Sequence, residues 1–335
     1  MTAETAAVGP EPDELTCDLV VVGAGPVGLY ATYYAGFREL SVVVIDSLEQ
    51  PGGQMATLYP EKLVYDVAGF PAVRAQTLVD ALVEQADSAA PTYLLGHVAQ
   101  TLVESGDLVT VVTDRGTSVR ARAVLVAAGI GKFTPRALPT GDEFHGRGLR
   151  YFVPRLDDLA GEDVVVIGGG DSAVDWALSL EPVAASVTLV HRRDEFRAHE
   201  RSVSRLHASS VVVRTPCEVE AIDGEDRVST VTIRDLTTDT STPVPAGSVV
   251  AALGFKATLG PLKSWGLAAH ERDIAVDRSM RTTMRRVFAA GDVAGHPDKV
   301  KLISVGFAEA ATAVNHIAAS ISSVPVSPGH SSDGA

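Results

Sequence analysis

The stretch Gly23-Ala-Gly25-Pro-Val-Gly28 lies between an apolar run at 19–22 (LVVV) and a second apolar segment that begins at Leu29. A stretch of the same form, Gly168-Gly-Gly170-Asp-Ser-Ala173, follows the apolar run 164–167 (VVVI). Each predicts a strand, a tight turn and a helix, which is the context of a dinucleotide-binding loop. Glycine lets the backbone approach a pyrophosphate, and the free N–H groups at the start of the helix bind the anion. Two such loops predict two bound dinucleotides.

The strand after the first loop ends in an acid. Asp46 follows the apolar run 42–45 and stands 23 residues after Gly23. A carboxylate at this place accepts hydrogen bonds from ribose hydroxyls. The first site therefore suits a dinucleotide with an unphosphorylated ribose, such as FAD or NAD.

The strand after the second loop ends in cations instead. His191 stands 23 residues after Gly168 and is followed by Arg192 and Arg193, with Arg197 a turn later. Guanidinium groups bind phosphate bidentately, so this replacement favours a ribose that carries a 2′-phosphate. The competing interpretation is a solvated basic face beside acidic neighbours. At this register in the fingerprint, the second loop predicts an NADP(H) site, with contacts from Gly168, Gly170, Asp171, Ser172, Ala173 and the four residues just named.

Composition is typical of a soluble enzyme. The chain has 335 residues, 46% of them hydrophobic, and this length favours two domains. A net charge of −14 argues against nucleic acid or an anionic membrane surface as a partner. Residues 1–14 are acidic and rich in Ala and Pro, which predicts a flexible tail rather than a secretion signal, and we expect a cytoplasmic protein.

Cysteine and histidine usage argues against thiol and metal chemistry. The two cysteines, Cys17 and Cys217, form no C-x-x-C motif, so no local redox dithiol or zinc knuckle is predicted. We interpret both as small buried hydrophobic residues, although the sequence leaves a disulfide between them open. The nine histidines show no metal-ligand spacing. We predict neither a metal site nor a catalytic triad.

The order of the predicted elements places the second nucleotide unit inside the first. A helical pattern at 74–89 and a hairpin at 108–127 precede the second loop. A second hairpin (229–236 with 242–250), a short strand (286–290) and a long helix (302–320) follow it. This order predicts an α/β fold with two Rossmann-like dinucleotide-binding domains. The first domain is discontinuous, over 15–124 and 252–335, and the second covers 125–251.

Several segments together resemble the bacterial thioredoxin-reductase-like flavoproteins, of the pyridine nucleotide-disulfide oxidoreductase fold. Besides the two loops they are PGGQ at 51–54, HRRDEFR at 191–197 and GDV at 291–293. Thioredoxin reductases carry a C-x-x-C motif where this chain reads LRYFVP at 149–154. The chain is similar instead to the dithiol-free branch, the thioredoxin-reductase-type ferredoxin/flavodoxin–NADP(+) reductases. That branch also matches LYPEK at 58–62, DVAGFP at 66–71, YFVP at 151–154 and HSS at 330–332.

The resemblance implies FAD at the first loop and NADP(H) at the second. Asp46 would hold the adenosine ribose, Gln54 would approach the flavin, and Tyr59 would lie against one ring face. Asp292 would accept a hydrogen bond from the ribityl chain. The other implied FAD contacts are the backbone around Ala99, Phe133, and His330 and Ser332 from a C-terminal lid at about 320–335, contributed by the partner subunit of a homodimer.

Each of these roles has a competing interpretation. Tyr59, which precedes a proline, also suits a half-buried turn aromatic. Asp292 also suits a helix N-cap. The segment 320–335 is rich in Ser, Pro and Gly, a composition that on its own predicts disorder rather than a docked lid.

The predicted chemistry comes from the cofactors rather than from a protein acid or nucleophile. A hydride would pass between NADPH and flavin N5, and single electrons would pass to or from ferredoxin or flavodoxin. A second hypothesis is another dithiol-free NADPH-dependent flavoprotein, a reductase or oxidase that uses quinones, oxygen or small molecules. A third is a non-catalytic sensor that binds both dinucleotides without turnover.

Overall fold

The first loop follows the central strand of a sheet that is buried on both faces. The computed structural model describes residues 14–270 and 273–322, without the side chains of Lys132 and Phe133. The elements of its first part are β1 (Glu14–Val22), α1 (Pro26–Gly36), β2 (Val42–Asp46), α2 (Gly53–Leu58), β3 (Leu63–Val64), β4 (Val73–Arg74), α3 (Ala75–Asp87), β5 (Thr92–Leu95), β6 (Ala99–Ser105), β7 (Leu108–Thr113) and β8 (Ser118–Val126). The sheet has the order β5-β2-β1-β8-β7-β6, with β5, β2, β1 and β8 parallel.

Burial on both faces explains why β2 and the ends of β1 and β8 are continuous apolar runs rather than alternating ones. On one face, Val20 and Val22 of β1 lie in a core that includes Trp265. On the other face, Leu19 and Val21 lie in a core with residues of α1 and of the final helix. The sheet therefore holds the end of β1, and the loop that follows it, in a fixed place.

The second loop belongs to a separate parallel sheet. The elements of this part are β9 (Lys132–Pro135), β10 (Leu149–Arg150), β11 (Asp163–Ile167), α4 (Asp171–Leu180), β12 (Ser186–Val190), α5 (Glu200–His207), β13 (Val212–Arg214), β14 (Cys217–Gly224), β15 (Val228–Asp235), β16 (Thr240–Pro245) and β17 (Ser248–Ala251). The parallel order is β10-β17-β11-β12-β13, and β14-β15-β16 form a small antiparallel sheet beside it.

The second predicted hairpin needs a correction. Residues 242–250 are not one strand. β16 ends at Pro245, and after Ala246 and Gly247 the chain enters β17, which pairs with β11 of the parallel sheet. Pro243 and Pro245 fit the place of β16 at the edge of the antiparallel sheet, where a missing N–H breaks no pairing with a further strand.

The chain then returns to the first sheet. The last elements are β18 (Phe255–Thr258), β19 (Ile274–Ala275), β20 (Val287–Ala289), β21 (Ala294–Gly295) and α6 (Ile303–Ile321). β18 pairs with β9, and β20 pairs in parallel with β8. Two parallel sheets, each with one glycine loop, agree with the predicted fold class. Within the described ranges, no helix combines the length and the apolarity needed to cross a bilayer.

Candidate functional site

Packing leaves no room for a side chain at two glycines of the first loop, whereas the third has open space beside it. Gly23 has φ +111°, and a Cβ on it would lie 2.4 Å from the Ala127 carbonyl oxygen. A Cβ on Gly28 would lie 1.8 Å from the Gly23 carbonyl oxygen. A Cβ on Gly25, the N-cap of α1, would meet no described atom within 4 Å. The open space therefore lies in front of the helix N-terminus, where a pyrophosphate would bind.

Asp46 lies half-buried at the end of β2 and is tied to the first loop. Its Oδ2 accepts a hydrogen bond from the Ala24 N–H at 2.5 Å, and its Oδ1 accepts one from the Leu48 N–H at 2.8 Å. Burial raises the pKa of this carboxyl, and the two N–H donors oppose that rise. The His97 N–H donates to the Asp46 carbonyl oxygen at 2.9 Å, which brings the segment leading into Ala99 beside this strand end.

The PGGQ segment packs directly on the first loop. A Cβ on Gly53 would lie 3.0 Å from the Gly25 Cα, and the Gly52 N–H donates to the Ala24 carbonyl oxygen at 2.8 Å. Gln54 follows in the first turn of α2, and its Nε2 lies 3.5 Å from the position of a Cβ on Gly129. The structure therefore brings Gln54 to the end of β8, beside the first loop.

Tyr59 and Asp292 interact electrostatically. Burial raises the pKa of the Tyr59 hydroxyl to about 12, and the negative charges of Asp66 and Asp292 add to that rise. Asp292 lies in the 3-10 turn Gly291–Val293 and is half-buried. Among the residues described, its carboxylate has no hydrogen-bond partner. An acceptor that is partly buried and unpaired suits a hydroxyl-bearing ligand.

The structure bears on both competing interpretations. Asp292 is not the cap of the long helix, because α6 begins at Ile303 with Leu302 as its N-cap. Tyr59 is half-buried and follows α2 directly, as a turn aromatic would, and its ring packs against the core around α3 and against the core of the second sheet. The Lys62 ammonium lies 5.4 Å from the centre of the same ring.

The segment after Tyr59 makes contacts with the second half of the molecule that the sequence did not reveal. Glu61 Oε2 accepts a hydrogen bond from the Leu156 N–H at 2.6 Å. Lys62 forms an ion pair of 2.5 Å with Asp175 on α4. The Arg205 guanidinium donates to the Tyr65 hydroxyl at 3.3 Å. These pairs are far apart in the sequence, and no spacing pattern connects them.

The second loop repeats the steric arrangement of the first. Gly168 has φ +148°, and a Cβ on it would lie 2.5 Å from the Ala252 carbonyl oxygen and 2.9 Å from the Ala173 Cβ. Gly170, the N-cap of α4, leaves open space around the position of its Cβ. Asp171 begins α4, and its Oδ1 accepts a hydrogen bond from the His199 N–H at 2.9 Å, while Ser172 is exposed.

The predicted cationic group surrounds the end of β12. The His191 ring lies over the second loop, 2.2 Å from the position of a Cβ on Gly169. Burial lowers the pKa of His191, and the charges of Arg193, Arg192 and Arg197 lower it further, so these arginines lie close to the ring. All three are exposed, and none forms an ion pair with a described residue. Exposed guanidinium groups without a carboxylate partner are available to a phosphate.

An aromatic pair occupies the place where thioredoxin reductases carry their dithiol. The Phe152 ring stacks on Phe255 at 6.1 Å, and Val153 is buried in the core of the second sheet. Cys17 and Cys217 are free thiols, and burial raises the pKa of Cys17 to about 12. This environment suits the predicted role as small apolar residues.

Three predicted FAD contacts are not tested by the geometry. Phe133 lies on β9, opposite Ala257 of β18, but its side chain is not described. His330 and Ser332, the predicted lid residues, lie outside the described ranges, as does nearly all of the tail predicted for 1–14.

Sequence reasoning also missed a buried cluster of charged residues beside Asp292. Glu309, on α6, accepts a hydrogen bond from the Gly291 N–H at 2.8 Å, and it pairs with Lys299 at 2.5 Å. His296 Nε2 lies 2.9 Å from Glu309 Oε1, and its Nδ1 lies 2.8 Å from the Pro297 carbonyl oxygen. The apolar spacing of α6 predicts a buried helix face, which is why a glutamate on it is informative.

We expect the stability of the protein to depend on His296 at low pH. Hydrogen bonds to Glu309 and to the Pro297 carbonyl raise the pKa of His296 above its usual value. Protonation therefore favours the folded state: the contribution is complete below the unfolded pKa of about 6.5 and is lost as pH rises through the folded pKa. Urea unfolding should show His296→Gln destabilised near pH 6 and close to the wild type near pH 9. The exposed His316→Gln variant is the control, and an equal loss for His296→Gln at both pH values would contradict the prediction.

The arrangement of two loops, an acid and a cationic group defines the class of protein. The profile of the pyridine nucleotide-disulphide oxidoreductase family matches residues 17–316. The chain belongs to this family, which confirms the predicted fold class and makes the protein an oxidoreductase. Its relatives named ferredoxin–NADP reductase include one from Nocardioides sp., 57% identical over 97% of this chain and 99% of the relative. Another, from Thermus thermophilus, is 45% identical over 94% of this chain and 96% of the relative.

Solved structures show the same fold. The thioredoxin reductase of T. acidophilum superimposes with a TM-score of 0.79 at 25% identity, over 92% of this chain and 99% of that one. The thioredoxin reductase of Lactococcus lactis gives a TM-score of 0.77 at 25% identity, over 90% and 97%. The recognition of a thioredoxin-reductase-like ferredoxin–NADP reductase is therefore confirmed.

Proposed function

We propose that this chain is an FAD-dependent oxidoreductase that transfers a hydride between NADPH and flavin N5 and single electrons to or from ferredoxin or flavodoxin. The observation that carries the proposal is that Asp46, an acid placed to accept from a ribose, follows the first loop, whereas three arginines without an ion-pair partner among the described residues follow the second. Family membership implies FAD and NADP(H). The relatives' shared name supports ferredoxin as the redox partner.

The described residues suit the two cofactors. At the first site, Gly23, Gly25 and Gly28 would cradle the FAD pyrophosphate, and Asp46 has acceptor capacity left for ribose hydroxyls. Gln54, Tyr59, Asp292 and the backbone near Ala99 complete this assignment. At the second site, the loop from Gly168 to Ala173 would bind the NADPH pyrophosphate, and His191, Arg192, Arg193 and Arg197 would surround the 2′-phosphate.

The finer parts of the proposal follow the domain division predicted above. The FAD-binding domain would cover 15–124 and 252–335, and the NADPH-binding domain 125–251; the composition of the two sheets supports this division. We further propose a cytoplasmic homodimer in which Phe133, His330 and Ser332 complete the flavin site, the last two from a C-terminal lid.

The protein's own part in the reaction is binding and orientation. FAD held by the first loop and Asp46 would supply the acceptor for the hydride and the means to release electrons one at a time. The arginines hold the phosphorylated end of NADPH, and the helix N-termini hold both pyrophosphates. Tyr59, buried and with a raised pKa, remains a neutral phenol at physiological pH and excludes water from the face that it covers. No side chain is assigned the role of acid, base or nucleophile.

Reoxidation kinetics of the holoenzyme test the proposal. The protein is reduced with NADPH under nitrogen and mixed in a stopped-flow instrument with ferredoxins and flavodoxins from the same organism, or with oxygen or menadione. The proposal predicts the fastest return of flavin absorbance with a ferredoxin or flavodoxin. Faster reoxidation by oxygen or menadione would support the other flavoprotein reductases and oxidases, and no bleaching by NADPH would support a sensor.

A further inference from the structure

Gly291, which precedes Asp292, is held through both its N–H and its carbonyl oxygen by one pair of buried charges. The Gly291 N–H donates to Glu309 Oε2 at 2.8 Å, and the Gly291 carbonyl oxygen accepts a hydrogen bond from Lys299 Nζ at 3.0 Å. The side chains of Glu309 and Lys299 are only 7% and 10% exposed. Charges this deeply buried are retained only when they are paired and hydrogen-bonded. Here the pair makes one hydrogen bond to each of the two peptide units that flank the Gly291 Cα.

The turn at 291–293 needs such support because it begins with a glycine, whose backbone torsions are little restricted. Gly291 has φ +78°, a conformation that glycine adopts without penalty and leaves as easily. A Cβ at this position would lie 3.1 Å from Val27 Cγ2, so a stiffer residue would need both a strained backbone and a small shift of Val27. The hydrogen bonds to the Gly291 N–H and to its carbonyl oxygen restrain the backbone torsions that glycine leaves free. The direction of the next side chain, Asp292, is thereby fixed as well.

Asp292 is the group that benefits. It is half-buried, its negative charge affects the Tyr59 hydroxyl, and within the described ranges its carboxylate has no hydrogen-bond partner. Without a restrained backbone, an unpaired carboxylate would occupy several positions, because the allowed rotamers depend on the backbone torsions. The cluster thus connects α6 with the backbone from which the Asp292 carboxylate projects.

We propose that Glu309 and Lys299 are positioning residues that orient Asp292 toward the ribityl chain of FAD. His296 completes the arrangement, because its Nε2 at 2.9 Å from Glu309 Oε1 restrains the carboxylate that accepts the Gly291 N–H. The inference rests on the proposed FAD site. It adds Glu309, Lys299 and His296 to that site as residues that would affect the cofactor only through the backbone of Gly291.

A double-mutant cycle with Asp292 tests the inference. Release of FAD from the full-length holoenzyme on dilution is followed by the gain in flavin fluorescence, which gives the dissociation constant. We expect Glu309→Gln to weaken FAD binding about tenfold, the effect of losing one hydrogen bond to a charged group. In the Asp292→Ala background the same change should have less than about a twofold effect, because groups that act as a unit are not additive. The control is Thr312→Ala on the same helix, whose hydroxyl bonds only to the Ala308 carbonyl; it should leave the constant unchanged.

The outcomes separate this inference from the assignment on which it rests. If Asp292→Ala alone leaves FAD binding unchanged, Asp292 does not bind the cofactor, and both ideas are wrong. Asp292→Ala could weaken FAD binding while Glu309→Gln has the same effect in the Asp292→Ala background as in the wild type. Glu309 would then have only a general structural role, and the inference alone would be overturned. Should Glu309→Gln fail to fold, Lys299→Met replaces it in the same cycle, since it removes the donor to the Gly291 carbonyl and the same non-additivity is expected.

Discussion

Replacing Gly28 with alanine should destabilise the protein by about 3 kcal/mol, at the upper end of overpacking effects, and abolish tight FAD binding. The added Cβ would lie 1.8 Å from the Gly23 carbonyl oxygen and 2.9 Å from the carbonyl carbon. Both are backbone atoms of the first loop, so no side-chain rotation relieves the overlap, and α1 must move away from β1. Urea unfolding, followed by tryptophan fluorescence, measures the loss.

Gly25→Ala is the matched control within the same loop. Its φ of −73° is ordinary for alanine, and no described atom lies within 4 Å of the new Cβ. We expect the free energy of unfolding without FAD to change by less than about 1 kcal/mol, the scale of N-cap substitutions. FAD affinity should nevertheless fall strongly, because the methyl group occupies the space for the pyrophosphate. A Gly25→Ala protein that binds FAD like the wild type would show that this loop does not cradle the cofactor.

Replacing Arg192 and Arg193 together with alanine should raise the dissociation constant of NADPH about 100-fold. Each lost hydrogen bond to a charged phosphate costs on the order of 1.5 kcal/mol, and two such losses give roughly this factor. NADH has no 2′-phosphate, so its constant should change by less than about threefold. Isothermal titration with both nucleotides measures the two constants.

The effect should also respond to salt and be specific to position. Exposed charges are screened as ionic strength rises, so the wild-type preference for NADPH should shrink at high salt. Arg201→Ala, an exposed arginine on α5, is the control and should affect neither nucleotide. Equal losses for NADPH and NADH in the double variant would contradict the 2′-phosphate assignment and restore the solvated basic face.

The sequence could predict those parts of the fold in which the local backbone or its burial restricts the type of residue. Gly23, Gly28 and Gly168 have no room for a side chain, so the loops leave a fixed signature in the sequence. The continuous apolar runs before them follow from burial on both faces of a parallel sheet. Asp46 and His191 could be located because the length of the intervening helix and strand sets their spacing from the loops.

The parts that could not be predicted depend on contacts between distant segments. The strand predicted at 242–250 was wrong because it joined two strand-like segments across Ala246 and Gly247, whereas the chain changes sheets there. The ion pair between Lys62 and Asp175, and the one between Lys299 and Glu309, leave no periodic trace in the sequence. The site was therefore predictable where backbone geometry defines it, and unpredictable where charged side chains meet across the fold.

The two connections between the sheets have a mechanical consequence. β9 and β18 cross side by side as an antiparallel pair, with Lys132 opposite Thr258 and Pro135 opposite Phe255. A hydrogen-bonded strap of two strands resists stretching and in-plane bending, but it tolerates a wide range of twist. Once the contacts that Glu61, Lys62 and Tyr65 make with the second half are released, torsion about this strap would be the easiest swing of one half against the other. A nicotinamide carried by one half would then reach its target along a single rotational coordinate instead of by free diffusion on a loose tether.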